Sequence, residues 1–118
     1  MVLGQASLGG FFSNASGVFA SISGGIRNSA SGLFASVSGG GLNQASGTDA
    51  SVSGGLENFA SGGGASVSGG SGNQASGLFG SITGGGGNSA GGFDTIVIGE
   101  NQVTDNGFSS IAPQPPFP

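Results

Sequence analysis

Small apolar residues and hydroxyl residues alternate in short bursts along the chain, each burst closed by glycine. Residues 20–25 read ASISGG; ASVSGG follows at 35–40, 50–55 and 65–70, and GSITGG at 80–85. Period-two alternation of this kind predicts a strand that turns Ala and Val or Ile to one face and two hydroxyl residues to the other. A shorter burst, Asn-x-Ala-Ser or its close variant, recurs at 28–31, 43–46, 58–61, 73–76 and 88–91 and alternates the same way, with Asn and Ala on one face. Each burst ends in Gly or Gly-Gly, where a tight corner is free to use positive φ.

The spacing is constant. Ala15, Ala30, Ala45, Ala60, Ala75 and Ala90 stand 15 residues apart, as do Gly17, Gly32, Gly47, Gly62, Gly77 and Gly92. So do Ile22, Val37, Val52, Val67, Ile82 and Val97, and Asn28, Asn43, Asn58, Asn73 and Asn88. A unit this short has no room for a crossover helix, so the copies are expected to stack as coils, each strand pairing in parallel with its equivalent in the next. The predicted fold is an all-β parallel β-solenoid of about six 15-residue coils with capped ends. A partial coil and cap span 1–14, the repeats 15–104, and a Pro-rich tail 105–118.

Stacking puts like residues above like. The Val/Ile column and the two Ala columns, Ala15 to Ala90 and Ala20/Ala35/Ala50/Ala65, form a thin core. The Asn column reads either as an amide ladder, with side chains bonding one another along the axis, or as a set of turn residues. Ser21, Ser23, Ser36, Ser38, Ser51, Ser53, Ser66, Ser68, Ser81 and Thr83 form a flat outward face.

Both ends depart from the pattern, as expected where a bare rung would template aggregation. ASLGG at 6–10 reads as a rung shortened by one residue, followed by Phe11 and Phe12 as a plug. Near the other end Ile96 and Ile98 replace serine on both outward columns. That rung needs a cover, either the tail folding back or a partner subunit.

Composition adds exclusions. The chain has 118 residues, 29 of them glycine, with 5% charged residues and a formal charge of −4. Strict periodicity separates it from a flexible Gly/Ser linker of similar composition. Arg27 is the one basic residue, so nucleic acid is a poor partner. Absence of Cys and His removes disulfides, thiolate chemistry and the commonest metal ligands, and no cofactor is expected. Neither a signal peptide nor a run of apolar residues long enough for membrane insertion is visible.

Enzyme motifs are met only by accident of the repeat. GNSAG at 87–91 matches a nucleophile elbow, but there is no His or Lys to serve as base. GSGNQA at 70–75 and GGGNSA at 85–90 mimic a dinucleotide fingerprint without the helix that it opens. The acids Asp49, Glu57, Asp94, Glu100 and Asp105 do not follow the repeat, so a calcium ladder is excluded; Asp94, Glu100 and Asp105 leave one isolated cation site to consider. Asn14-Ala15-Ser16 is a glycosylation sequon. The sequence predicts no enzyme.

NSASGLFASVSGG and NQASGTDASVSGG, within residues 6–99, resemble the head repeats of trimeric autotransporter adhesins, the YadA-like left-handed parallel β-roll. The resemblance implies a left-handed coil, a trimer, and display at a bacterial surface for attachment to a host-surface receptor. Similar phrases occur in phage fibre proteins. The N-x-V-S-G character of the half-coils is also similar to the grass antifreeze β-roll, which implies ice binding by the flat serine face. The function expected is that of a structural module of a surface fibre, virion appendage or filament, extracellular or on a cell or virion surface, with ice binding as the alternative.

One buried Val or Ile per coil is little against the entropy of ordering 15 residues, many of them glycine, so further burial is expected. Val18, Phe19, Leu33, Phe34, Leu78, Phe79 and Phe93 stand at one corner of the coil and, with Ile96 and Ile98, form the expected subunit interface of a homo-oligomer, a trimer or a head-to-tail filament. The competing reading folds the phenylalanines over their own roll. Ile26, Leu42 and Leu56 add apolar spots at the opposite corner.

Overall fold

The computed structural model describes residues 6, 7, 11–99 and 101–113. Among them there is no helix, and strands pair in parallel with their equivalents in the neighbouring coil, making an all-β parallel solenoid of about seven turns. One sheet has eight strands: Ala6–Ser7, Ser21–Ile22, Ser36–Val37, Ser51–Val52, Ser66–Val67, Ser81–Ile82, Ile96–Val97 and Ile111–Ala112. The other has seven: Asn14–Ala15, Ser29–Ala30, Gln44–Ala45, Phe59–Ala60, Gln74–Ala75, Ser89–Ala90 and Thr104–Asp105. A third line of parallel bridges runs up one corner through Phe11, Ile26, Gly41, Leu56, Ser71, Gly86 and Asn101. The molecule measures 50 × 22 × 12 Å, a flattened rod.

The core lies between the two sheets and is one side chain deep. The Ala15-to-Ala90 column, Ala20, Ala35, Ala50 and Ala65, and the Val/Ile column from Ile22 to Val97 are buried. Alanine is required on one side because a 12 Å thickness leaves no space for two branched side chains face to face. Gly32, Gly47, Gly62 and Gly77 are buried at a corner where successive coils touch backbone to backbone. A Cβ on Gly47 would lie inside the carbonyl oxygen of Gly62.

The Asn column forms a ladder, but not the amide-to-amide chain that its constancy suggests. Asn58 Oδ1 accepts the backbone N–H of Asn73 (3.0 Å), and Asn58 Nδ2 donates to the carbonyls of Gly54 (2.9 Å) and Gly70 (3.0 Å). Asn43 and Asn73 repeat the pattern. Each amide reaches one glycine carbonyl that also accepts a rung N–H, as Gly70 does from Leu56 (3.0 Å), and one that it serves itself, such as Gly54, so the side chains satisfy main chain, which is costly to leave bare. Ser13 starts the ladder by accepting the Asn28 N–H (3.1 Å), and the Val103 N–H ends it on Asn88 Oδ1 (2.8 Å).

The ends differ from expectation in three ways. First, Ala6 pairs with Ser21 and Ser7 with Ile22, so the 15-residue spacing holds and ASLGG stands one place out of step with ASISGG. Second, Phe11 and Phe12 are not a plug. They are 69% and 82% exposed, at the corner positions above which Ile26 and Arg27 lie. Third, the tail as far as Pro113 does not fold back over Ile96 and Ile98. It adds another coil: Thr104–Asp105 pairs with Ser89–Ala90, and Ile111–Ala112 with Ile96–Val97. The unpaired edge of Ile96–Val97 is the stronger attraction, since Ile96 N–H donates to Ser110 O and Ile98 N–H to Ala112 O, both at 2.9 Å. The Pro-rich residues 114–118 lie outside the described residues.

In this last coil the core turns polar. Thr95, Asp105 and Ser110 occupy alanine columns. Asp105 is buried; its Oδ1 accepts the Gly107 N–H (2.9 Å) and the Ser110 hydroxyl (2.6 Å), whereas Oδ2 has no hydrogen-bond partner. A buried carboxylate in a column of methyl groups is a poor platform for a further rung, which limits templating at this end.

Candidate functional site: the aromatic edge of the rod

Two residues form each outer corner between the sheets, and their columns run the length of the rod. From the N-terminal side the pairs are Val18-Phe19, Leu33-Phe34, Thr48-Asp49, Gly63-Gly64, Leu78-Phe79, Phe93-Asp94 and Phe108-Ser109. The second residue of each pair must enter the left-handed region to turn the chain. Phe19, Phe34, Asp49, Phe79 and Asp94 have φ of 58°, 59°, 58°, 59° and 54°, and Gly64 has 65°. Glycine is at ease there, but a phenylalanine incurs roughly 1–2 kcal/mol.

The rings line up along the axis. Phe19 and Phe34 stack at 5.2 Å with planes 8° apart, and Phe93 and Phe108 at 5.0 Å and 13°. Phe79 meets Phe93 edge to face at 6.1 Å and leans across Gly64. Stacking of this kind returns about 0.5–1.5 kcal/mol, comparable with the backbone cost. The rings still stay half in water: Phe19, Phe34 and Phe79 are 50%, 52% and 54% exposed. They do not fold over their own roll.

Val18, Leu33, Leu78 and Phe93 share this edge with the phenylalanines, so the structure brings together seven of the nine expected interface residues. Ile96 and Ile98 fall elsewhere. They continue the two serine columns on the flat face of the eight-stranded sheet, Ile96 lying beside Ile111.

The hydroxyl residues of the eight-stranded sheet stand in two outward columns. Ser21, Ser36, Ser51, Ser66 and Ser81 form one partly exposed column, and Ser23, Ser38, Ser53, Ser68 and Thr83 a more exposed one. Adjacent rungs are in register, with Ser66 Oγ 3.3 Å from Ser81 Oγ; the Thr83 hydroxyl accepts the Gly99 N–H at 2.9 Å.

At the opposite corner Phe11, Phe12, Ile26, Leu42 and Leu56 line an open groove of about 560 Å³, with Arg27 on its margin. Here too the turning residues are left-handed, Arg27, Leu42 and Glu57 at φ of 56°, 57° and 55°. The sequence showed Ile26, Leu42 and Leu56 but not that Phe11 and Phe12 join them; the 15-residue offset from Phe11 to Ile26 was the available signal. Among the described residues no three acidic side chains gather at one place. Glu100, one of the acids weighed for a cation site, lies outside the described residues. No described helix is long and apolar enough to cross a membrane. No protein-family model matches the chain, and no curated protein matches it in sequence.

Proposed function

We propose that this protein is a non-catalytic structural module that assembles with copies of itself through the aromatic edge, as part of a surface fibre, virion appendage or filament. The observation that carries this reading is the placing of phenylalanine at strained, half-exposed corner positions. Gly64 turns the same corner without strain. Phe19, Phe34 and Phe79 therefore carry a backbone cost that their ring contacts within the chain no more than offset, and they leave apolar surface in water. Residues kept under such conditions point to a contact made outside the chain. The rod's regular length and repeated units suit a spacer, and the likeness of its repeats to adhesin heads supports a surface setting.

Sedimentation analysis of the Phe34→Asp/Phe79→Asp variant tests the assembly. The wild-type chain is expected to sediment as an oligomer and the variant as a monomer with an unchanged circular dichroism spectrum. An unchanged oligomer in the variant removes the edge from the interface.

A second reading, ice binding, rests on the registered hydroxyl columns of the flat face, repeated at the rung spacing of about 4.8 Å. Ice grown in the presence of the protein is shaped if the face binds it. Unshaped crystals dispose of this alternative.

A further inference from the structure

We propose that the aromatic edge pairs with the same edge of a second copy in antiparallel orientation, about a two-fold axis that crosses the rod between the Thr48 and Gly63 coils. The inference deepens the assembly reading above and rests on it. It comes from the order of the corner pairs, which is close to a palindrome about that point. Over the six pairs from residue 18 to residue 94, bulky apolar residues stand in two blocks, Val18-Phe19 with Leu33-Phe34 and Leu78-Phe79 with Phe93, separated by Thr48-Asp49 and Gly63-Gly64; the seventh pair, Phe108-Ser109, lies beyond the symmetric stretch and projects past the contact.

Three assemblies use this edge, and they differ in what they press together. In a parallel two-fold or three-fold bundle each coil meets its own equivalent. A parallel two-fold sets the second residue of each pair against the first residue of the other copy's pair, so Asp49 meets Thr48 and Asp94 meets Phe93, with both copies' acids held in the same rung. Gly63-Gly64 faces Gly63-Gly64, the thinnest coil of each edge, covered only by what Leu78 and Phe79 lend in leaning over it. A head-to-tail filament leaves the edge in water altogether. In the antiparallel pair the blocks exchange partners: Leu33 meets Leu78, Phe34 meets Phe79, and Val18 meets Phe93 of the second copy. Thr48-Asp49, the one wholly polar pair between the blocks, falls opposite the glycine coil, over which Leu78 and Phe79 of the second copy lean. Bulk meets bulk, and the acid meets the thinnest stretch of the edge. Asp94 alone falls beside a ring, Phe19 of the second copy, at the open end of the contact. An interface of this kind is isologous and closes on itself at two subunits.

The contact is small. Six coils at about 4.8 Å each, on a rod 12 Å thick, give a projected area of about 350 Å² per copy, below the roughly 800 Å² of a standard interface. An area this small fits a weak, transient dimer, to be looked for at high protein concentration.

Distance measurement between paired spin labels tests the orientation. The chain has no cysteine, so Ser16→Cys, Ser31→Cys and Ser61→Cys each give one labelling site, on exposed hydroxyl positions beside the edge. In the antiparallel dimer the two copies of each label are offset along the axis by five, three and one rungs, about 24, 14 and 5 Å. Label separation is expected to fall in the order 16, 31, 61. A single separation for all three sites means a parallel bundle or a filament and overturns the antiparallel pairing while leaving assembly in place. Sedimentation as a monomer at every concentration overturns both.

Discussion

Replacing Asn58 by leucine is expected to destabilise the rod by about 2–6 kcal/mol, a large part of the roughly 5–15 kcal/mol that holds a typical domain. Leucine matches asparagine in branching and heavy-atom count but is the bulkier, so overpacking at this buried site adds to the loss. The larger change is in hydrogen bonding. The buried Asn73 N–H loses its acceptor, and the partly buried Gly54 carbonyl loses its donor. The Gly70 carbonyl keeps the Leu56 N–H at 3.0 Å, so two groups rather than three are orphaned. Each costs about 1–3 kcal/mol. Urea unfolding followed by circular dichroism measures the loss, with the exposed Asn14→Leu as a reference expected to stay within about 0.5 kcal/mol of wild type. A loss at Asn58 no greater than at Asn14 would mean that the ladder does not hold the coils.

The second large effect separates two neighbouring glycines. Gly55 turns its corner at φ 85°, and a Cβ there would enter the Gly70 carbonyl oxygen of the next coil. Relief requires the coils to move apart, which strains the Leu56 and Asn58 bonds to that same carbonyl. Gly55→Ala is therefore expected at or above the upper end of the roughly 1–3 kcal/mol range for overpacking. Gly54 has nothing within 4 Å of its would-be Cβ and no left-handed φ. Gly54→Ala is expected to be neutral or to stabilise by about 0.4–1 kcal/mol, through a less flexible unfolded chain. Equal losses for the two, in the same unfolding assay, would contradict the corner geometry.

How far the sequence disclosed this molecule depends on which property of the repeat carried the information. Side-chain columns were legible because stacking demands identity: Ala30 under Ala45, Val37 under Val52, Asn43 under Asn58. The parallel register follows from that identity alone. The last coil was hard to read, because Val103, Asp105 and Ser110 stand where earlier coils have Asn, Ala and Ala, and only scattered residues, Gly107, Phe108 and Ile111, keep their columns. Backbone spacing, with little side-chain likeness, extends the ladder there. The left-handed corners were hidden for a related reason. Composition suggests glycine for such turns, yet Phe34, Leu42 and Glu57 make them as well, forced by the coils on either side. The bonding of the Asn ladder was also out of reach, since the same column of residues suits an amide chain or a main-chain clamp. Of the candidate edge, Val18 to Phe93 could be grouped from the 15-residue offset, whereas Ile96 and Ile98 needed the strand alternation applied to a rung whose serines had gone.

Every coil touches only the one above and the one below it. Pulled by its two termini, such a chain has no distant contact to break all at once; the outermost turn peels, and the next becomes outermost. Each turn released lets out 15 residues, about 50 Å of thread, at a similar force. Under tension such a stack is expected to lengthen in steps, with a yield point set by a single rung.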